Sequence, residues 1–155
     1  MKPHSVEIEL RLARSRPWLD LDALRRAGEV ALDDAGWSGE GLSIAIVTDA
    51  EIAAIHAEYL DDPTETDVIT FDLRDESERG VPLAARTGGE LVVSADTAER
   101  CAKERGHDPL LEAQLYVVHG ALHLLGEDDH DEDDRRRMRT RERAVFERLG
   151  LPYPF

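Results

Sequence analysis

The chain begins with an alternation of polar and apolar residues that predicts a β-strand. Between Ser5 and Leu12 every second residue is apolar, so the apolar side chains share one face of an extended segment. The charged stretch from Asp72 to Thr87 has no periodicity and contains Pro82, which indicates an exposed loop. Three short β-rich runs are predicted to be further strands: Leu42–Thr48, Thr66–Phe71 and Glu90–Ser94.

Elsewhere apolar residues recur at spacings of three and four, which predicts amphipathic helices. The first begins at Leu21 behind an Asp20 N-cap and continues toward Gly36, and the second follows Asp49, which we expect to be its N-cap. The fourth helix is nearly uncharged in its second half, so we expect it to be the central buried helix. Helices three to five are predicted at Asp96–Arg105, Leu110–Leu125 and Asp131–Leu149.

This order of elements predicts an α+β fold, in which about five helices pack on a small mixed sheet of four strands. The length of 155 residues suits one domain, and no internal repeat or low-complexity linker divides the chain. We therefore expect residues 1–155 to form a single domain with one core.

Charge restricts the partners that the protein can bind unaided. The formal net charge is −15, and such a protein repels polyanions as a whole. Nucleic-acid binding would need a local basic patch or a partner that supplies affinity. Such a patch is available in the last helix, although the same run also suits a solvated face with ion pairs. Its arginines are Arg135, Arg136, Arg137, Arg139, Arg141 and Arg143.

Two further features bear on the compartment. No apolar run is long enough to cross a membrane, and the first residues lack the apolar segment of a signal peptide. The single cysteine, Cys101, has no second cysteine for an internal disulfide and suits a reducing compartment. We therefore expect a cytoplasmic protein without a membrane partner.

Three of the six histidines fall within residues 119–130, where the spacing suggests a metal site. His119 and His123 are four residues apart, so on a helix their imidazoles lie on one face and can bind one metal ion. Gly126 favours the end of that helix, and His130 beyond it offers a third nitrogen. Three protein ligands with one open position are typical of catalytic zinc. The alternative is that the histidine pair belongs to the core.

Such a site favours hydrolysis, because zinc lowers the pKa of coordinated water and polarises carbonyl or phosphoryl oxygens. In zinc proteases the residue after the first His is a Glu that acts as general base. Here that residue is Gly120, so a protease mechanism lacks its base. The neighbouring acids Glu127, Asp128 and Asp129 would either orient imidazole N–H groups or form a polar loop.

The chain resembles the YbeY family, bacterial rRNA-processing endoribonucleases with a zincin-like fold. The resemblance rests on three blocks in the family's order: residues 119–126 with Asp129-His130, Thr66–Phe71, and Gly89–Ser94. It implies a metal-dependent, single-strand-specific endoribonuclease that acts in small-subunit rRNA 3′-end maturation and in ribosome quality control. It also implies ribosomal RNA and the small ribosomal subunit or its proteins as partners.

The resemblance further implies one zinc ion per chain, with His119, His123 and His130 as its ligands. The family motif usually places its third His ten residues after the first, where this chain has Asp129. A loop that is one residue longer brings His130 to the site. We predict His130 as the third ligand because imidazole matches the other two, with Asp129 as the alternative.

A second departure concerns RNA binding. The family often carries an Arg after the Tyr of the second helix, whereas Leu60 follows Tyr59 here. Contact with RNA phosphate would then come from another cation. The candidates are Arg74, Arg86 and the arginines from Arg135 onward.

Two other classes of function stay open at the level of sequence. One is a non-catalytic ribosome-assembly factor with a structural zinc, which the acidic composition and Leu60 favour. The other is a metallohydrolase such as a peptidase, which requires an ionisable side chain near the metal in place of the missing Glu.

Overall fold

A computed structural model describes residues 6–12, 14, 16–34, 42–60, 68–72, 89–124 and 131–154, with backbone alone at 59–60 and 68–72. These residues form a mixed α/β fold with five helices, which confirms the predicted class. In chain order the elements are β1 Val6–Leu10, α1 Leu21–Asp34, β2 Leu42–Val47, α2 Asp49–Leu60, β3 Val68–Asp72, β4 Gly89–Ser94, α3 Ala95–Arg105, α4 Pro109–Leu124 and α5 Glu132–Leu149.

The described strands form one sheet in the order β1-β2-β4-β3. β1, β2 and β4 are parallel, while β3 lies antiparallel to β4 at the edge. Alternate residues of the two central strands face opposite layers: Ile44 and Leu91 join the main core, whereas Ala45 and Val92 pack with Ile52 of α2. Both faces of the central strands are therefore covered, which explains their nearly continuous apolar runs.

α4 is the central helix, as its lack of charge predicts. Eleven of its 16 residues are buried, and it packs against α1, α3 and α5 as well as the sheet. Its C-terminal end packs directly on Gly89, the first residue of β4. The approach is so close that a Cβ atom at Gly89 would overlap the side chain of Leu124. This close approach fixes the end of α4 that carries His119 and His123.

The predicted N-caps are partly correct. Asp20 accepts a hydrogen bond from the backbone N–H of Ala23 at 3.1 Å, as expected at the start of α1. The prediction that Asp49 caps α2 is wrong, because Thr48 Oγ1 accepts the bond from the N–H of Glu51 at 3.2 Å.

Asp49 instead lies in the first turn of α2 and joins that helix to α3. Its Oδ1 accepts hydrogen bonds from the hydroxyls of Ser94 at 2.6 Å and Thr97 at 2.7 Å, and its Oδ2 accepts from Arg100 at 2.7 Å. Ser94 in turn caps α3 through the N–H of Thr97. The carboxylate therefore satisfies groups at the start of another helix.

Several predictions fall outside the described residues. These are most of the loop from 72 to 87 with Arg74 and Arg86, and the motif residues 125–130. In the part of the chain that the structure describes, no helix is long and apolar enough to span a membrane.

Candidate metal centre

The last turns of α4 bring two imidazoles together. The Nε2 atoms of His119 and His123 are 3.0 Å apart, and the rings meet edge to face with centroids 4.6 Å apart. Two nitrogens bound to one tetrahedral zinc at the usual bond length are about 3.3 Å apart. The structure brings the two rings together on one face of α4, at a separation that suits a hydrogen bond between them and is slightly short of that for two ligands of one ion; metal binding stays a prediction.

Glu142 of α5 orients the first of these histidines. Its Oε2 lies 2.6 Å from His119 Nδ1, and the glutamate side chain is buried. A carboxylate can only accept a hydrogen bond, so Nδ1 carries the hydrogen and donates it. The lone pair of neutral His119 then lies on Nε2, the atom that faces His123. This is the tautomer that a metal ligand requires.

Tyr153, beyond the end of α5, holds the other oxygen of the same carboxylate. Its hydroxyl donates to Glu142 Oε1 at 2.6 Å, and its ring meets Phe146 edge to face. Burial raises the pKa of the Tyr153 phenol well above its usual range, and the bond to Glu142 raises this pKa further. The phenol therefore remains a donor at neutral pH, and a continuous chain of hydrogen bonds joins Tyr153, Glu142 and His119.

The sequence folds this way because α5 presents one buried stripe to the core. The buried residues of this stripe follow helical spacing, and Glu142 occupies a position that the pattern would assign to an apolar residue. A buried acid in an apolar stripe was therefore the sequence signal for Glu142, which sequence analysis missed. Tyr153 carried no comparable signal. The buried residues are Met138, Glu142, Val145 and Phe146.

Four arginines of α5 form two groups with different surroundings. Arg136 and Arg137 form ion pairs with aspartates three residues earlier in the helix, as a solvated face predicts. Arg139 and Arg143 are exposed and lie near Tyr153, where their charges oppose the rise of its pKa. The guanidinium carbon of Arg143 lies 5.2 Å from the centroid of the Tyr153 ring. The second group therefore adds positive charge next to the hydrogen-bonded chain.

The third ligand stays a prediction. His130 and its alternative, Asp129, lie outside the described residues, as do Glu127 and Asp128. Among the residues that are described, no group of three His, Cys, Asp or Glu side chains is arranged to hold a metal ion. The described part of the site is therefore the histidine pair on α4 with its support from α5.

The family model described as Endoribonuclease YbeY matches residues 22–150, which include all of α2 to α5 and the central strands. The chain belongs to the YbeY family. Endoribonuclease YbeY of Carboxydothermus hydrogenoformans is 35% identical over 131 residues, which cover 84% of this chain and 87% of that protein. Endoribonuclease YbeY of Paracoccus denitrificans is 31% identical, and the match covers 99% of this chain and 91% of that protein.

A solved structure shows the same fold. The solution structure of TM1509 from Thermotoga maritima superposes with a TM-score of 0.58 and is 21% identical in sequence. The match covers 94% of this chain and 92% of that one. At this level of identity the likeness establishes the fold alone, and it extends over nearly the whole length of the YbeY-family chain.

Proposed function

We propose that this chain is a zinc-dependent endoribonuclease that hydrolyses phosphodiester bonds in single-stranded RNA. The observation that carries the proposal is the pair of Nε2 atoms, 3.0 Å apart, on adjacent turns of the buried helix. Relatives named Endoribonuclease YbeY support the reaction class. The physiological role that we propose is maturation of the 3′ end of small-subunit rRNA, together with ribosome quality control.

In this proposal one zinc ion is held by His119, His123 and His130, with Asp129 as the alternative third ligand. Imidazole nitrogens suit zinc, and the Nε2 separation of the described pair fits two of its four tetrahedral positions. The bond from His119 Nδ1 to Glu142 supports the assignment, because an outer carboxylate commonly fixes a ligating histidine.

Zinc held by imidazoles lowers the pKa of coordinated water and stabilises negative charge on phosphoryl oxygens. The protein's own residues orient the ligands. Gly120 contributes no side chain, so the base of the zinc proteases is absent. Glu142 is buried, and its two oxygens bind His119 and Tyr153, so its role is to position rather than to take a proton from substrate.

RNA binding in this proposal relies on a small part of the surface. Arg139 and Arg143 are exposed beside Tyr153 and are suited to contact phosphates of a strand that reaches the histidines. An unstacked single strand can enter a concave site that a duplex cannot. Since the net charge is −15, we propose that the small ribosomal subunit or its proteins help to deliver the substrate.

Three expectations about organisation belong to the same proposal. Residues 1–155 act as one domain, the arrangement of the α4 histidines is zincin-like, and the protein works in the cytoplasm. The pairing of helix-borne histidines supports the second of these, because zincins bind their metal through two histidines four apart on a helix.

The experiment is cleavage of single-stranded RNA by purified, zinc-loaded protein and by the His123→Ala variant. We expect a loss of more than about 100-fold, because even outer partners of a metal ligand are worth 10–100-fold. His56→Ala on α2 is the matched control and should retain full activity. Equal activity in the His123→Ala variant would contradict the proposal. Zinc-loaded protein that binds pre-ribosomes without cutting would favour the assembly-factor alternative.

A further inference from the structure

We propose that Glu142 and Tyr153 are positioning residues that hold His119 in its metal-binding tautomer and so set the affinity of the site for zinc. The inference rests on the proposed function in one respect, since it takes His119 as a zinc ligand. It adds two residues to the site that lie 23 and 34 positions beyond His119 in the chain.

The first step in the argument is the burial of Glu142. Glu142 is 3% exposed and lies in the same buried stripe of α5 as Met138, Val145 and Phe146. Placing a carboxylate among such neighbours is costly unless its oxygens are hydrogen-bonded, and an apolar residue there is often as stable or more so. Stability of α5 alone therefore does not explain an acid at this position, whereas its bond to His119 does.

The second step is that both oxygens of the carboxylate are engaged. Oε2 lies 2.6 Å from His119 Nδ1, and Oε1 accepts from the Tyr153 hydroxyl at 2.6 Å. Two bonds to different partners fix the plane of the carboxylate, which then fixes the direction of the imidazole. The Nε2 lone pair of His119 thereby points toward Nε2 of His123, where we propose that the zinc ion binds.

The third step concerns how the chain brings Tyr153 to the site. α5 is followed by Gly150, whose φ of 71° is the left-handed conformation that favours glycine at a helix C-terminus. The chain then folds back, so that Leu151 and Tyr153 pack against the main core. The last residues are therefore part of the site through the phenol, although they lie far from the histidine motif in sequence.

A Glu142→Gln substitution should reverse the tautomer for a specific reason. The Tyr153 hydroxyl donates to Oε1 in the parent, and if it keeps this role in the variant its only acceptor there is the amide oxygen, which turns the amide nitrogen toward His119. Nδ1 must then accept, and the hydrogen moves to Nε2, where it blocks metal binding. We expect zinc affinity to fall by about 10- to 100-fold, the usual cost of losing such a partner.

Removing the phenol as well should restore part of that loss. In the Glu142→Gln/Tyr153→Phe double variant the phenol donor is removed, so the amide can rotate and present its oxygen to His119 Nδ1. Zinc should therefore bind more tightly to the double variant than to Glu142→Gln. Tyr153→Phe alone should weaken binding by less than about tenfold, since the direct partner of His119 remains.

The test is zinc affinity of the 155-residue chain, measured by competition with a chromophoric chelator. Glu147→Gln, an exposed carboxylate-to-amide change on the same helix, is the matched control and should bind zinc as the parent does. ¹⁵N NMR of the histidine rings gives an independent readout. It should show hydrogen on His119 Nδ1 in the parent and on Nε2 in Glu142→Gln, both measured without metal.

Unchanged zinc affinity and an unchanged His119 tautomer in Glu142→Gln would overturn the inference. So would a double variant that binds zinc more weakly than Glu142→Gln, because a merely structural role predicts additive damage. If the parent and Glu147→Gln take up no zinc, the proposed metal function fails together with this inference. If the parent binds zinc and Glu142→Gln binds it equally well, this inference fails while the proposed metal function stands.

Discussion

At the scale of single residues, Tyr116 shows how burial affects a polar group outside the site. Its hydroxyl and Glu112 Oε2 are both buried and make no hydrogen bond of good geometry to the described residues, although Glu112 and Cys101 lie close enough to act on the phenol. The other oxygen of Glu112 accepts from Arg105 at 2.8 Å and lies 2.6 Å from His107 Nε2. Glu112 thus ties the start of α4 to the end of α3, and we expect the hydroxyl of Tyr116 to contribute little to stability because it makes no well-formed hydrogen bond.

Tyr116→Phe should leave stability nearly unchanged at neutral pH and raise it relative to the parent in alkali. Burial raises the pKa of the Tyr116 phenol far above its usual range, and the nearby Cys101 and Glu112 raise this pKa further. Above the unfolded-state value of about 10, the unfolded chain releases a proton that the folded chain retains, so parent stability falls as pH rises. At about pH 11 one such group costs about 1.4 kcal/mol.

The measurement is the free energy of unfolding in urea at about pH 8 and pH 11 for both proteins. The difference between them isolates Tyr116, because other titrating groups are common to both. Equal loss of stability in the two proteins on raising the pH would contradict this account of the buried phenol.

The same scale shows what sequence could predict of the site. His119 and His123 were predicted from their spacing alone, because one helix determines their distance. Glu142 and Tyr153 were missed because their bonds depend on how α5 and the last residues pack on α4, which no local spacing encodes. The error at Asp49 has the same origin, since its partner Ser94 lies 45 positions away.

At the scale of elements, periodicity predicted the strands and helices well. Helical spacing and caps placed α1, α4 and α5 within a few residues of their observed bounds. Periodicity alone did not separate the arginines of α5, because a charge run has the same pattern whether its members lie beside a proposed site or away from it. The structure separates them by position, since Arg139 and Arg143 lie near Tyr153 whereas Arg136 and Arg137 pair with aspartates one turn earlier.

The two groups of arginines should therefore respond differently to neutralisation. Arg139→Gln/Arg143→Gln should weaken single-stranded RNA binding several-fold and make the slope of log affinity against log salt shallower by about 1.4, or 0.7 per lost phosphate contact. Arg136→Gln/Arg137→Gln removes the same charge from ion-paired positions and is the matched control. Salt titrations of RNA affinity compare the pairs, and equal effects would show that net charge alone matters.

At the scale of the whole molecule, the acidic chain concentrates its proposed chemistry at one end of α4. The fold brings together histidines from the central helix, a carboxylate from α5 and a phenol from the last residues. The close packing of β4 on α4 at Gly89 and Leu124 makes this end a fixed part of the core. Such rigid support is what a metal site requires to hold its ligands in register.

Removal and return of zinc tests the central claim most directly. The 155-residue protein, freed of metal by chelation, is assayed on single-stranded RNA while zinc is added back in steps, beside His119→Ala. We predict no cleavage without metal, full recovery at one zinc per chain, and no recovery in the variant, because one ion joins His119 to His123 and a third ligand. Cleavage by metal-free protein, or equal recovery in His119→Ala, would contradict the account.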